Sequence, residues 1–227
     1  GSVGKTSTRE AIFTVLKTKY KVRQPEKNYN NEIGLPLTIL GLPHYGKNPF
    51  AWIWGLIKVK FSFFRPKSFY PEILILEYGV DRPGDMDYLL NIARPTIAVI
   101  TAIGEIPMHV ENFIEPKDVI SEKAKLLKSL TGDGYAILNH DDYAVYDLKD
   151  KTKGEVITYG FEDNAEVKGI NYELKTVLNE KLGEVPEGIS FKIDYRNKIV
   201  PVRLHGGLSK SSVYAALAAA AVGLSLK

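Results

Sequence analysis

The first eight residues, Gly1-Ser2-Val3-Gly4-Lys5-Thr6-Ser7-Thr8, carry the two glycines and the Lys-Thr pair of a loop that wraps phosphate. Backbone N–H groups in such a loop turn toward the anion, the lysine reaches the β- and γ-oxygens, and the next hydroxyl is placed to hold Mg2+. Residues 5–20 read as a helix, because Ala11, Ile12, Val15 and Leu16 recur at helical spacing. Its positive N-terminal end then also faces the anion. Gly1, Ser2, Val3, Gly4, Lys5, Thr6 and Ser7 are therefore candidate nucleotide contacts, with Thr6 also a candidate metal ligand.

Three short apolar runs read as buried parallel strands: Ile73-Leu74-Ile75-Leu76, Thr96-Ile97-Ala98-Val99-Ile100 and Tyr135-Ala136-Ile137-Leu138. In open α/β sheets ligands bind beyond the carboxyl ends of the strands, so those ends are where chemistry belongs. The first run ends in Glu77, followed by Tyr78-Gly79. The second ends in Thr101 and leads through Gly104 to His109. The third ends in Asn139, His140, Asp141 and Asp142. Glu77 is either a solvated strand end or the carboxylate that a Mg2+-nucleotide site requires. His109, in a loop, is a surface residue or a metal ligand.

Lys123 stands out by periodicity. It lies four residues after Val119, three after Ile120, three before Leu126 and four before Leu127. That places it on the apolar face of a helix over 119–130, whereas Lys125 and Lys128 fall toward the polar side. It is either a snorkelling lysine or a buried amine of lowered pKa. A buried amine of that kind can react with CO2 to give a carbamate, an anionic metal ligand.

The elements that must position these residues alternate. Helices over 86–93 and 119–130 separate the three runs, so the chain is expected to form a doubly wound α/β sheet. Residues 24–31 read as a polar loop, and 33–42 as an apolar stretch broken by Gly34 and Pro36. Beyond Asp142, segments 156–159, 167–172, 189–195 and 199–204 are shorter and more alternating, and read as an antiparallel extension of the same domain. An Ala-rich helix over 214–224 closes the chain. Residues 49–64, with Phe50, Trp52, Trp54, Leu56 and Ile57, read as an aromatic hairpin or short helix packed on the domain, or else as a membrane-surface or partner-docking patch. Lys58 and Lys60 interrupt it well short of the roughly 20 residues that span a bilayer.

With 30 Lys+Arg against 27 Asp+Glu and no basic arm, a mainly electrostatic nucleic-acid binder is excluded. The absence of cysteine excludes a disulfide scaffold, a thiolate nucleophile and a Cys-ligated metal. The opening residues do not read as a signal peptide, and a cytoplasmic location is expected.

Taken together, the phosphate loop, Asn28-Tyr29-Asn30-Asn31-Glu32-Ile33-Gly34-Leu35-Pro36-Leu37-Thr38, Leu76-Glu77-Tyr78-Gly79, His109-Val110-Glu111-Asn112-Phe113, Glu122-Lys123-Ala124-Lys125 and Leu138-Asn139-His140-Asp141-Asp142 resemble the ATP-binding central domain of the Mur ligases. The motifs follow the family's order across nearly the whole chain. The Asn30-to-Thr38 segment most resembles members that join D-alanyl-D-alanine to UDP-N-acetylmuramoyl-tripeptide.

The resemblance implies a P-loop-type, mostly parallel sheet with a small antiparallel extension, and an ATP-dependent amide-bond ligase working through an acyl phosphate. It implies that Lys5 holds the β/γ-phosphates and that Thr6 and Glu77 hold one Mg2+. His109 and a carbamylated Lys123 would hold a second, with Asn30 and Asn31 near the γ-phosphate and Asn139 beside the nucleotide. It also implies a larger, monomeric enzyme of which residues 1–227 are the catalytic middle. Domains for the UDP-substrate and the amine, and the strand leading into the phosphate loop, would lie outside, so the chain alone should fold poorly or bind ATP weakly. The family typically carries His-Asn before the closing helix as an adenine contact. Here Gly207-Leu208-Ser209-Lys210-Ser211-Ser212 has no such pair, and Ser211 or Ser212 is the candidate for its place. The other readings are a different Mur-type or folylpolyglutamate-type ligase and a nucleotide-switch or scaffold ATPase.

Overall fold

The computed structural model describes residues 4–27, 29–62, 64, 66–104, 112–113, 115–179 and 183–226, without the side chains of Pro116 and Asn179. In chain order the elements are α1 (Lys5–Leu16), β1 (Val22–Arg23), α2 (Gly34–Leu40), α3 (Pro49–Ser62), β2 (Ile73–Leu74), α4 (Asp85–Ile92), β3 (Ile97–Ile100), α5 (Pro116–Lys128), β4 (Tyr135–Asn139), α6 (Tyr143–Tyr146), β5 (Glu155–Gly160), β6 (Val167–Asn179), β7 (Gly183–Tyr195), β8 (Lys198–His205) and α7 (Lys210–Ser225).

The helix starts follow from local chemistry. Gly4 caps α1 at φ 80°, a left-handed backbone that a residue without Cβ adopts freely. In α5, Glu115 and Asp118 cap each other reciprocally with Pro116 at the first helical position, which satisfies end groups that the helix cannot pair itself. Pro36 is accommodated in the first turn of α2, where its missing N–H costs nothing. The helix expected over 5–20 ends earlier, at Leu16.

β1 and β2 form a parallel pair. The second sheet runs β3-β4-β5-β6-β7-β8. Its first four strands are mutually parallel, and β6, β7 and β8 pair antiparallel. Segment 156–159, expected in the antiparallel extension, therefore belongs to the parallel part as β5. Its neighbour β4 is buried and apolar from Ala136 to Leu138, and a strand covered on both faces pairs best where helices can lie above and below. The extension proper is larger than expected, since β6 and β7 are 13 residues each. Between β7 and β8, Arg196 and Asn197 both take positive φ, the backbone of a two-residue hairpin turn that matches strand twist.

The sheet is covered on both faces, as doubly wound architecture requires. On β4, Ala136 and Leu138 join α4 and α5 in one apolar cluster, while Ile137 joins α1 and α7 in the other. β2 and β3 are not in one sheet. A cavity of about 650 Å3 lies between them, walled by Ile73, Ile75, Ile97 and Val99. Lys5, Glu77 and Lys123 line the same cavity.

Candidate active site

The strand ends, the start of α1 and the middle of α5 converge. Lys5, Asn30, Glu77, Thr101 and Lys123 all line the cavity between β2 and β3, so residues up to 118 positions apart in sequence share one space. Asn30 is held there by its backbone: its carbonyl accepts the Gly79 N–H at 2.7 Å. A Cβ on Gly79 would fall 2.9 Å from the Asn30 Cγ, so only glycine permits that approach. Asn31 has a different task. Its side-chain oxygen accepts the Gly34 N–H at 2.9 Å at the start of α2.

Glu77 is 7% exposed and ion-paired with Arg9, Nη1 to Oε2 3.3 Å. Arg9 also donates to the Lys27 carbonyl and to Glu10 Oε1. Gln24 donates to Glu10 Oε2, and this bond and Arg9 hold the Glu10 carboxyl below its usual pKa. Arg9 is the site residue that motif reading missed. It lies on the buried stripe of α1, three residues before Ile12 and seven before Leu16, and the helical-face argument that singled out Lys123 would have found it.

Lys123 is buried as its periodicity requires, at 8% exposure. Burial lowers its pKa from 10.5 to about 8; the Lys5 charge pushes the same way and Asp142 opposes. Its neighbour Glu122 is also buried. The N–H groups of Gly84 and Met86 donate to Oε1, and Lys125 donates to Oε2. Glu122 thus fixes the start of α4 against α5.

The third strand end is a hydrogen-bonded frame. Asp142 accepts from the N–H groups of Ile103 and Gly104 through Oδ2 and of Val145 through Oδ1, tying the ends of β3 and β4 together. Asp141 accepts from the Phe161 and Glu162 N–H groups and from the Tyr214 hydroxyl at 2.7 Å, which joins β4, β5 and α7. Burial, with Asp141 beside it, raises the Tyr214 pKa. Asn139 is buried and its Oδ1 accepts the Asp141 N–H. The His140 ring lies against Tyr146, centroids 4.3 Å apart. At the segment that departs from the family pattern, the Ser209 hydroxyl bonds those of Ser211 and Ser212.

Four candidate residues, Gly1, Ser2, Val3 and His109, lie outside the described residues. Of the remainder, Gly4 and Lys5 open α1, and Thr6 and Ser7 are exposed on its first turn. Among the described residues no group of three or more Asp, Glu, His or Cys side chains gathers as a metal-binding cluster. A Thr6 hydroxyl and a Glu77 carboxylate are nonetheless a donor set that suits Mg2+, which keeps water and takes phosphate oxygens as its other ligands.

The Mur ligase middle domain family matches residues 56–223. UDP-N-acetylmuramoyl-tripeptide–D-alanyl-D-alanine ligase of Synechocystis is 30% identical over 222 residues, covering 97% of this chain and 39% of that protein. The ligase of the same name from Bacillus subtilis is 32% identical over 157 residues, 68% of this chain and 28% of that protein. The solved MurF ligase of Thermotoga maritima in complex with ADP superimposes with a TM-score of 0.70 at 25% identity, over 100% of this chain and 44% of that one. The chain spans between a quarter and a half of the length of these relatives. The resemblance carried by the motifs is borne out, and so is the expected sheet: the chain belongs to the Mur ligase family, through that family's middle domain.

Proposed function

We propose that this chain is the ATP-binding middle of a MurF-type ligase, which joins D-alanyl-D-alanine to UDP-N-acetylmuramoyl-tripeptide in peptidoglycan precursor synthesis. The observation that carries the reading is the 97% coverage by a relative of that name. Lys5, Asn30, Glu77 and Lys123 gathered on one cavity support it.

A carboxylate oxygen of the tripeptide attacks the γ-phosphorus of ATP, forming a C–O–P bond as the bond to ADP breaks. The amine of D-alanyl-D-alanine then attacks the acyl carbon, an amide forms, inorganic phosphate leaves and the amine's proton passes to solvent. Lys5 binds the β- and γ-oxygens, and the Gly1-to-Ser7 loop and Asn139 hold the nucleotide. Asn30 and Asn31 orient the γ-phosphate. Thr6 and Glu77 would hold one Mg2+, and His109 with Lys123 a second. When bound, Mg2+ supplies neutralisation of the phosphate charge.

Lys123, as the neutral amine that its lowered pKa favours, adds CO2 with loss of a proton and becomes a carbamate. The Ile- and Val-walled cavity between β2 and β3 takes the strand that leads into a phosphate loop, since strand, loop and helix form one unit. Domains for the UDP-substrate and the amine lie elsewhere in a longer, monomeric, cytoplasmic protein.

The test is ADP release by the full-length protein. UDP-N-acetylmuramoyl-tripeptide with D-alanyl-D-alanine should support it, and Lys5→Ala should abolish it. Release with folate and glutamate instead would replace this reading with a folylpolyglutamate-type ligase. Lys123→Ala should be inactive and regain activity with bicarbonate or a short-chain acid. Full activity in that variant would overturn the carbamate.

A further inference from the structure

Helix α3 is built the wrong way round for a helix packed on a domain. At about 100° per residue, Trp52, Gly55 and Val59 share one side. That side faces the protein: Gly55 is buried against the Tyr45 ring, and the Trp52 Nε1–H donates to the Gly46 carbonyl at 3.0 Å. On the opposite side, Phe50, Ile53, Trp54, Ile57 and Phe61 form a continuous apolar stripe, and all five are exposed, Phe50 at 80% and Phe61 at 65%. Lys58 and Lys60 fall on either flank of that stripe. The Lys58 ammonium lies 5.7 Å from the Trp54 ring.

Charge is gathered on the same segment. Residues 33–71 contain Lys47, Lys58, Lys60, Arg65 and Lys67 and no Asp or Glu, so the rest of the chain holds 25 Lys+Arg against 27 Asp+Glu. In sequence, all of the chain's positive net charge therefore falls in the segment that carries this exposed aromatic stripe. A lone apolar face would suit many partners. Apolar and aromatic side chains bordered on both sides by lysines, with no acidic residue among them, suit a surface whose interior is hydrocarbon and whose headgroups are anionic. No helix among the described residues is long and apolar enough to cross a membrane, and a 14-residue helix of this pattern lies in the interface plane.

We propose that α3 is a membrane-surface anchor that seats Phe50, Ile53, Trp54, Ile57 and Phe61 among the acyl chains of an anionic bilayer, with Lys58 and Lys60 at the headgroups. It holds the ligase domain at the membrane face and is independent of the catalytic reading.

The two tryptophans of these 227 residues, Trp52 and Trp54, both lie on α3, so in the full-length protein the part of the emission change lost on Trp52→Phe with Trp54→Phe reports this helix. Phosphatidylglycerol vesicles should shift that emission to the blue and sediment with the protein. Phosphatidylcholine vesicles should bind about tenfold more weakly, and salt at about 0.5 M should weaken the anionic binding several-fold. Lys58→Glu with Lys60→Glu should lower affinity for phosphatidylglycerol by about tenfold or more, and Ile57→Asp should abolish the blue shift. Both variants replace exposed side chains, and unchanged thermal unfolding shows that they fold. Unshifted emission with phosphatidylglycerol vesicles overturns the proposal. So does equal binding by the folded variants, or an apolar stripe consumed by dimerisation on size-exclusion chromatography with no vesicle binding.

Discussion

The strand-end site and helix α3 break the same rule in opposite directions. At the site, charged and polar groups are inside: Arg9, Glu77, Glu122, Lys123 and Asn139 are all buried. On α3, Phe50, Ile53, Trp54 and Phe61 are outside. Each arrangement costs free energy in isolation, by desolvating charge in one case and by wetting hydrocarbon in the other. The core of β4 and α7 follows the ordinary rule between them. The comparison teaches that both exceptions are local: the site is framed by the ends of the core strands, and α3 rests on Tyr45 and Gly46. They differ in what offsets the cost: neighbouring protein groups at the site and, on α3, the anionic bilayer proposed above.

The comparison breaks most sharply on side-chain truncation. Ile137→Ala, wholly buried on β4, should cost about 2–5 kcal/mol. Trp54→Ala should change stability by no more than about 0.5 kcal/mol. Urea unfolding of the two variants measures both; a cost at Trp54 matching that at Ile137 would mean that α3 is part of the core.

Burial of a charge gives the next effect. Lys123 has a folded pKa of about 8 against an ordinary 10.5, so the folded chain holds that proton less tightly than the unfolded one. Between these two pH values the unfolded state binds the extra proton, and stability rises with pH across the window; below it the penalty is present in full. Lys123→Met should remove this rise and stabilise the chain near neutral pH by on the order of 2 kcal/mol. Thermal unfolding of both proteins from pH 7 to 10.5 tests the sign.

Smaller effects sharpen the contrast in what partners are worth. Tyr214→Phe removes the hydroxyl that donates to Asp141 and should cost roughly 1.5 kcal/mol, since the acceptor is charged and part-buried. Asp118→Ala breaks the capping box of α5 and should cost about 1 kcal/mol, read as a shift in the urea midpoint.

Much of this was legible in the sequence. The apolar runs at 96–100 and 135–138 coincide with strands, because a run covered on both faces pairs best inside a sheet; the run at 73–76, expected to be buried, is a strand only at Ile73–Leu74 and is half-buried beside the cavity. Lys123 was legible for a related reason: helical periodicity assigns a face to every residue, whatever its chemistry. Arg9 obeys the same geometry, but in a phosphate-loop helix attention goes to the Gly-Lys-Thr residues. The parallel pairing of β5 was not legible, because a six-residue strand carries no mark of its neighbour's direction. Helix or hairpin was open for residues 49–64, where a nearly uniform apolar composition hides the period; only the three-dimensional placement of Gly55 against Tyr45 shows which side is inside.

The sequence by itself determined most of the element types, the family and the inward turn of Lys123, since all of these depend on residue order and local periodicity. Only the tertiary structure decided that Lys5, Asn30, Glu77 and Lys123 share one cavity, that Glu77 is paired with Arg9, and that the aromatic stripe of α3 faces away from the protein. Those outcomes depend on distances between segments far apart in the chain, and on which of two faces finds a partner, and neither is encoded at any one position.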